Sequence, residues 1–107
     1  MNTQREGLAF SSKALDFLRY CEAEHEWVLG TTIALARLES PTTDKVAVDR
    51  CGAELLRRIA DIGGVVTRLR QKEAGDHLRA EFGCGESQVL LLGHFDTVWP
   101  RGQIERM

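Results

Sequence analysis

The sequence predicts a layered α/β fold, and three features point to it. Two segments near the amino terminus place apolar residues at three- and four-residue steps, the helical period. After Gly63-Gly64 the period shortens to two, as in half-buried strands. Val89-Leu90-Leu91-Leu92 then has no polar face, which suits a strand covered on both sides by helices. Helix, helix, strand, strand, strand is the order of an α/β layer.

Ser11 and Ser12 can cap a first helical segment, whose Leu15, Leu18, Cys21, His25, Val28, Thr32 and Leu35 share a face. The periodicity predicts helix over residues 12–38, as one rod or as two with a break near Glu22; Gly30 leaves both open. Pro41 disfavours helical geometry at Ser40 and ends the segment. Thr43 or Asp44 caps a second helix over 44–62, with Val48, Cys51, Leu55, Ile59 and Ile62 as its apolar stripe and Gly63-Gly64 as its left-handed stop. Strands are expected over 65–70, 77–82 and 88–93, with turns at Gly75-Asp76 and Gly83-Cys84-Gly85.

Composition narrows the function classes. The 107 residues are 43% hydrophobic and 28% charged, the balance of a soluble globular protein rather than a disordered one. A net charge of -2, with basic residues scattered among acidic ones, argues against nucleic-acid and anionic-membrane partners. Leu8-Ala9-Phe10 is too short for the apolar region of a secretory signal, and no window is long enough to cross a bilayer. Cys21, Cys51 and Cys84 are odd in number and lack CxxC spacing, which fits a reducing cytoplasm and three small buried residues.

Chemistry concentrates at Gly93-His94-Phe95-Asp96, on the carboxyl end of the apolar run, where α/β folds place their sites. In extended backbone residues i and i+2 point to one side, so His94 and Asp96 project together and Phe95 faces away. A neutral imidazole is a good zinc ligand, and a nearby carboxylate fixes its tautomer and raises its basicity. The pair also has a plain structural reading, with His94 ending the sheet and Asp96 capping the next turn.

The stretch Val89-Leu90-Leu91-Leu92-Gly93-His94-Phe95-Asp96-Thr97-Val98-Trp99-Pro100-Arg101-Gly102 resembles the first metal motif of glutamate carboxypeptidase-like zinc metallopeptidases. That family also holds aminoacylases, acetylornithine deacetylase and succinyl-diaminopimelate desuccinylase. The Trp-Pro-x-Gly ending is closer to the carboxypeptidase branch. Leu35-Ala36-Arg37-Leu38-Glu39-Ser40-Pro41-Thr42 resembles the family's helix end and loop, and Gly75-Asp76-His77-Leu78 its entry into the second strand. The likeness runs in order from about Ser12 onward.

The resemblance implies the first part of a zinc-exopeptidase-like α/β/α domain spanning residues 1–107, with the second, dimerisation or lid domain absent. It implies His94 as a zinc ligand and Asp96 as the catalytic-site acid that clamps its imidazole. Members hold two Zn2+ ions with a bridging Asp, a Glu-Glu pair whose first Glu is the general base, a further acidic ligand and a distant His. Those residues are expected beyond Met107, so the polypeptide alone is expected to be inactive. The parent would remove a carboxy-terminal glutamate-like residue from a small peptide or amide, or deacylate an N-acyl amino acid, and would form a homodimer through the absent domain. A reading from another class is a non-catalytic module that binds a partner through its unpaired sheet.

Other residues carry less. Glu24-His25-Glu26 is no HExxH, because Leu29 stands four after His25. Cys21 and His25 share a helix face without a second pair opposite, which suits a packed interface. His77 beside Asp76 reads as a structural hydrogen-bonding residue, and Ser40, Thr42 and Thr43 as capping residues. Trp99 either shapes a substrate pocket in the complete enzyme or packs its loop, with packing preferred. Gly83-Cys84-Gly85 lacks the Lys and helix start of a phosphate loop.

Overall fold

The computed structural model describes residues 11–107; the expectation that no secretory signal is present concerns residues 1–10, which lie outside them. Among the described residues three helices, α1 (Ser12–Ala23), α2 (His25–Arg37) and α3 (Lys45–Asp61), precede strands β1 (Val65–Leu69) and β2 (His77–Glu81) and a 3-10 turn, Ile104–Arg106. The architecture is thus mixed α/β with a small sheet. The chain forms two compact units, one ending at Thr32 and the other running Ile33–Met107.

Local signals explain the first unit. The Ser11 side chain accepts from the Ala14 amide at 3.2 Å, satisfying one of the orphan donors of α1. The helical segment is divided at Glu24, although the Glu24 amide still donates to Tyr20 O and Glu24 O still accepts from Val28 N. Gly30 lies within α2 without interrupting it. Neither α1 nor α2 buries a residue, and Leu15, Leu18 and Val28 of the apolar stripe stay 39–50% exposed.

The second unit is organised on α3. Asp44 caps it by accepting from Ala47 N at 3.0 Å. At the other end Gly63, at φ +95°, and Gly64 return their amides to Ala60 O and Ile59 O, each at 3.0 Å. This paired closure needs the left-handed residue that only glycine adopts freely. Ala47, Val48, Cys51 and Gly52 are the buried face of α3.

β1 and β2 pair antiparallel, Val65 opposite Glu81 and Leu69 opposite His77. An ionic clip ties the loop between them to α3. Lys45 Nζ lies 3.0 Å from Asp49 Oδ2 and 2.9 Å from both Asp76 Oδ1 and Ala74 O. The Asp76 amide donates to Asp49 Oδ1 at 2.7 Å, and Gln71 N to Asp76 Oδ1 at 2.8 Å. Asp76 therefore supplies the side-chain hydrogen bonds at this strand start, while His77 pairs with Leu69 in the ladder. Gly75 is pressed so closely on Val48 that a Cβ there would fall 2.1 Å from Val48 Cγ1.

Two expectations are corrected. Residues 88–93 form no ladder, and Val89, Leu90, Leu91 and Leu92 are 85–92% exposed instead of covered on both faces. The physical reason is pairing: among the described residues the sheet has two strands, β1 and β2, neither ladder extends to 88–93, and a strand has no stability without a neighbour on its edge. Nor are all three cysteines buried. Cys51 is, while Cys21 and Cys84 are exposed. No helix of the described residues is long and apolar enough to cross a membrane.

Two measurements follow. Gly75→Ala should lower the unfolding free energy by about 1–3 kcal/mol through overpacking, whereas Gly30→Ala, with open space around its Cβ, should raise it by about 0.5–1 kcal/mol. Urea denaturation reads both. Burial pushes the Cys51 thiol up in pKa, so in native protein a thiol reagent should modify Cys21 and Cys84 and reach Cys51 only after denaturation.

Candidate functional site

Two segments 54 residues apart build the site. Thr97 N donates to Ser40 O at 2.8 Å and Thr42 N to Thr97 O at 2.9 Å, a parallel bridge centred on Pro41 and Thr97. The hydroxyl of Ser40, 2% exposed, donates to the Phe95 carbonyl. Phe95 in turn lies against α3, its ring atoms 3.2 and 3.3 Å from where a Cβ on Gly52 would stand. With its middle residue anchored inward, the tripeptide sends His94 and Asp96 to the other side.

There the two side chains meet. His94 Nδ1 lies 3.0 Å from Asp96 O and 3.2 Å from Asp96 Oδ1. A carbonyl oxygen only accepts, and so does an ionised carboxylate, so the proton belongs on Nδ1. In the neutral ring Nε2 then carries the lone pair. The ring is 82% exposed at its side chain and is not sealed in hydrocarbon. Asp96 Oδ2 is held separately, accepting from Thr42 Oγ1 at 2.8 Å. The Thr42 hydroxyl, then the Asp96 amide and the His94 ring, hold the Asp96 carboxyl below its ordinary pKa against a smaller upward push from burial.

Ser40 and Thr42 were expected to cap helices. They instead position the His94–Asp96 segment, and Asp44 alone caps α3. Sequence reasoning also missed Glu39. Its backbone is left-handed, at φ +45°, and its carboxylate accepts from Gly102 N at 2.9 Å and Ile104 N at 3.2 Å. These amides, Gly102 first, lower the Glu39 pKa. The arm carrying Trp99 and Pro100 is thereby fixed at its far end. A shallow open hollow of about 360 Å3 lies between residues 41–43 and 97–100, with Trp99 58% exposed along it. A second hollow, of about 380 Å3, is lined by Ala34, Leu38, Arg50, Ala53 and Glu54; it offers no imidazole or thiol, and Arg57 and Arg58 occupy its carboxylate.

The pair has the geometry of an imidazole whose one nitrogen is oriented by an acid and whose Nε2 is open. Among the described residues no three His, Cys, Asp or Glu side chains cluster closely enough to hold a metal ion. Cys21 and His25 lie on separate exposed helices, and His77 lies at the start of β2. No protein-family model, curated protein or solved structure matches the chain.

The carboxylates give the stability a pH dependence. Asp49, Asp76 and Glu39 are lowered by hydrogen-bond donors, and Glu54 is held at about 2 by Arg57 and Arg58. A folded pKa below the unfolded one contributes stability above the unfolded value and loses it as pH falls through the folded one. Urea midpoints should therefore be level at neutral pH and fall from the ordinary carboxylate range near 4 down to about 2. Glu39→Gln should reduce this slope; an unchanged slope would show that the Gly102 contact contributes nothing.

Proposed function

We propose that this polypeptide is the amino-terminal part of the catalytic domain of a zinc-dependent hydrolase of the glutamate carboxypeptidase kind. His94 is one metal ligand, through Nε2, and Asp96 holds its ring. The observation that supports this best is the hydrogen bond from His94 Nδ1 to Asp96, which leaves the other nitrogen free on an exposed ring. The motif resemblance supplies the reaction class: the parent removes a carboxy-terminal glutamate-like residue from a small peptide or amide.

His94 would be one of the residues holding the zinc, which when bound would supply Lewis-acid chemistry for hydrolysis. The chain's own contribution is to present the imidazole in one tautomer and to keep Asp96 ionised beside it. A catalytic zinc needs about three protein ligands, and the described residues offer no such group. The bridging acid, the Glu-Glu pair and the further ligands of a two-zinc centre are thus assigned to additional polypeptide, as is the domain through which the parent would dimerise. The complete domain would be of the zinc-exopeptidase-like α/β/α kind. The three unpaired cysteines favour a cytoplasmic setting.

One observation favours a second reading, a non-catalytic module that binds a protein partner: Val89–Leu92 presents a contiguous apolar surface to solvent.

The test has two parts. Added Zn2+ should shift the His94 ring resonances, and His94→Ala should remove that shift, while the isolated chain hydrolyses no acyl-glutamate substrate. Turnover that His94→Ala abolishes would overturn the assignment of the remaining ligands to other polypeptide. A His94 ring indifferent to Zn2+ would sink the metal reading and leave the binding module.

A further inference from the structure

We propose that Thr42 is a positioning residue for His94: its hydroxyl fixes the Asp96 carboxylate so that Oδ1 meets Nδ1 and the imidazole presents Nε2 with its lone pair. This goes one layer beyond the metal-ligand reading and rests on that reading for its purpose, though not for its geometry.

A carboxylate on a short side chain rotates about two bonds, and either oxygen can face a neighbour. Here the two oxygens have different work. Oδ2 accepts from Thr42 Oγ1 at 2.8 Å, and Oδ1 lies 3.2 Å from His94 Nδ1. With Oδ2 held, rotation is restricted and Oδ1 is kept toward the ring. Thr42 Oγ1 also lies 3.0 Å from Thr97 O, but the hydroxyl has a single proton, and the charged acceptor forms the shorter and stronger bond.

The hydroxyl can do this because its backbone is fixed independently. The Thr42 amide donates to Thr97 O, and Thr97 N donates to Ser40 O, so Thr42 is aligned beside Asp96 whatever its side chain. Backbone alignment and side-chain contact are therefore separable by substitution. Thr42→Val preserves shape and the amide bond and removes only the hydroxyl. Thr42→Ser restores it.

Such partners matter because the tautomer of a histidine is set by what its other nitrogen donates to. Without Thr42, Asp96 Oδ1 leaves its place for part of the time and the Asp96 carbonyl is the remaining acceptor for Nδ1. The Nε2–H form, which cannot hold a metal through Nε2, then gains population.

The experiment is nitrogen NMR of the His94 ring in the full chain at about pH 8, above the ordinary histidine range. Wild type should show a predominantly protonated Nδ1 and a bare Nε2. Thr42→Val should move the tautomer ratio toward Nε2–H by about threefold or more, with Thr97 amide exchange unchanged, and Thr42→Ser should restore the wild-type ratio. If Thr42→Val leaves the ratio unchanged, the proposal fails. It fails equally if the ratio moves only together with loss of Thr97 protection, since Thr42 would then act by holding the loop. Should Thr42→Val not fold, Thr42→Ala keeps the amide bridge and carries the same outcomes. Zn2+ added to wild type separates the two readings: an Nε2 signal that ignores the metal refutes the ligand role of His94 and leaves the Thr42 result standing.

Discussion

The bridge between residues 40–42 and 95–97 is the constraint on which the rest of the site depends. Two backbone hydrogen bonds and two side-chain hydroxyls join segments that are remote in sequence. Because Ser40 holds the Phe95 carbonyl and α3 receives the Phe95 ring at Gly52, the residues on either side have only one direction left. The alternation of extended backbone supplies a pair of side chains that face together. The bridge decides which way they face.

Helix α3 is the platform for this arrangement. Its amino-terminal turns carry both the buried face that receives the strands and the Lys45–Asp49–Asp76 clip that fastens the loop between them. The clip is partly exposed, so solvent screens its charge pairing and the attraction alone adds little. Its larger effect is geometric. Asp49 and Asp76 use their oxygens on backbone amides as well as on Lys45, which fixes Gly75 against Val48. No buried side-chain nitrogen or oxygen among the described residues lacks a partner, so this polar network is complete.

What the sequence made legible was local. The Ser11 and Asp44 caps, the glycine closure after Ile62 and the change of period into β1 and β2 each involve residues within a few positions of one another, and such signals survive reading one residue at a time. The shared direction of His94 and Asp96 was legible for the same reason, since it needs only a two-residue repeat. Contacts across long separations were not. Nothing in Ser40 or Thr42 alone says that they will hold residues 95 and 96 rather than cap a helix, and Glu39 gave no signal of its reach to Gly102. The run Val89–Leu92 was misread for a related reason. An apolar composition states that a segment needs cover, and whether this chain provides it depends on neighbours that composition does not name. Cys21 and Cys84 show the same gap between a residue's tendency and its surroundings.

Glu39 shows what such a reach demands of the backbone. A left-handed residue with a side chain is disfavoured by about 1–2 kcal/mol, and glycine would occupy φ +45° comfortably. Glycine, however, has no carboxylate, and the amides of Gly102 and Ile104 would lose their acceptor. Comfort at position 39 and order at position 102 are thus mutually exclusive. The turn after α2 keeps a residue that fits its own conformation poorly, and the side chain starting there moors the tryptophan-bearing arm.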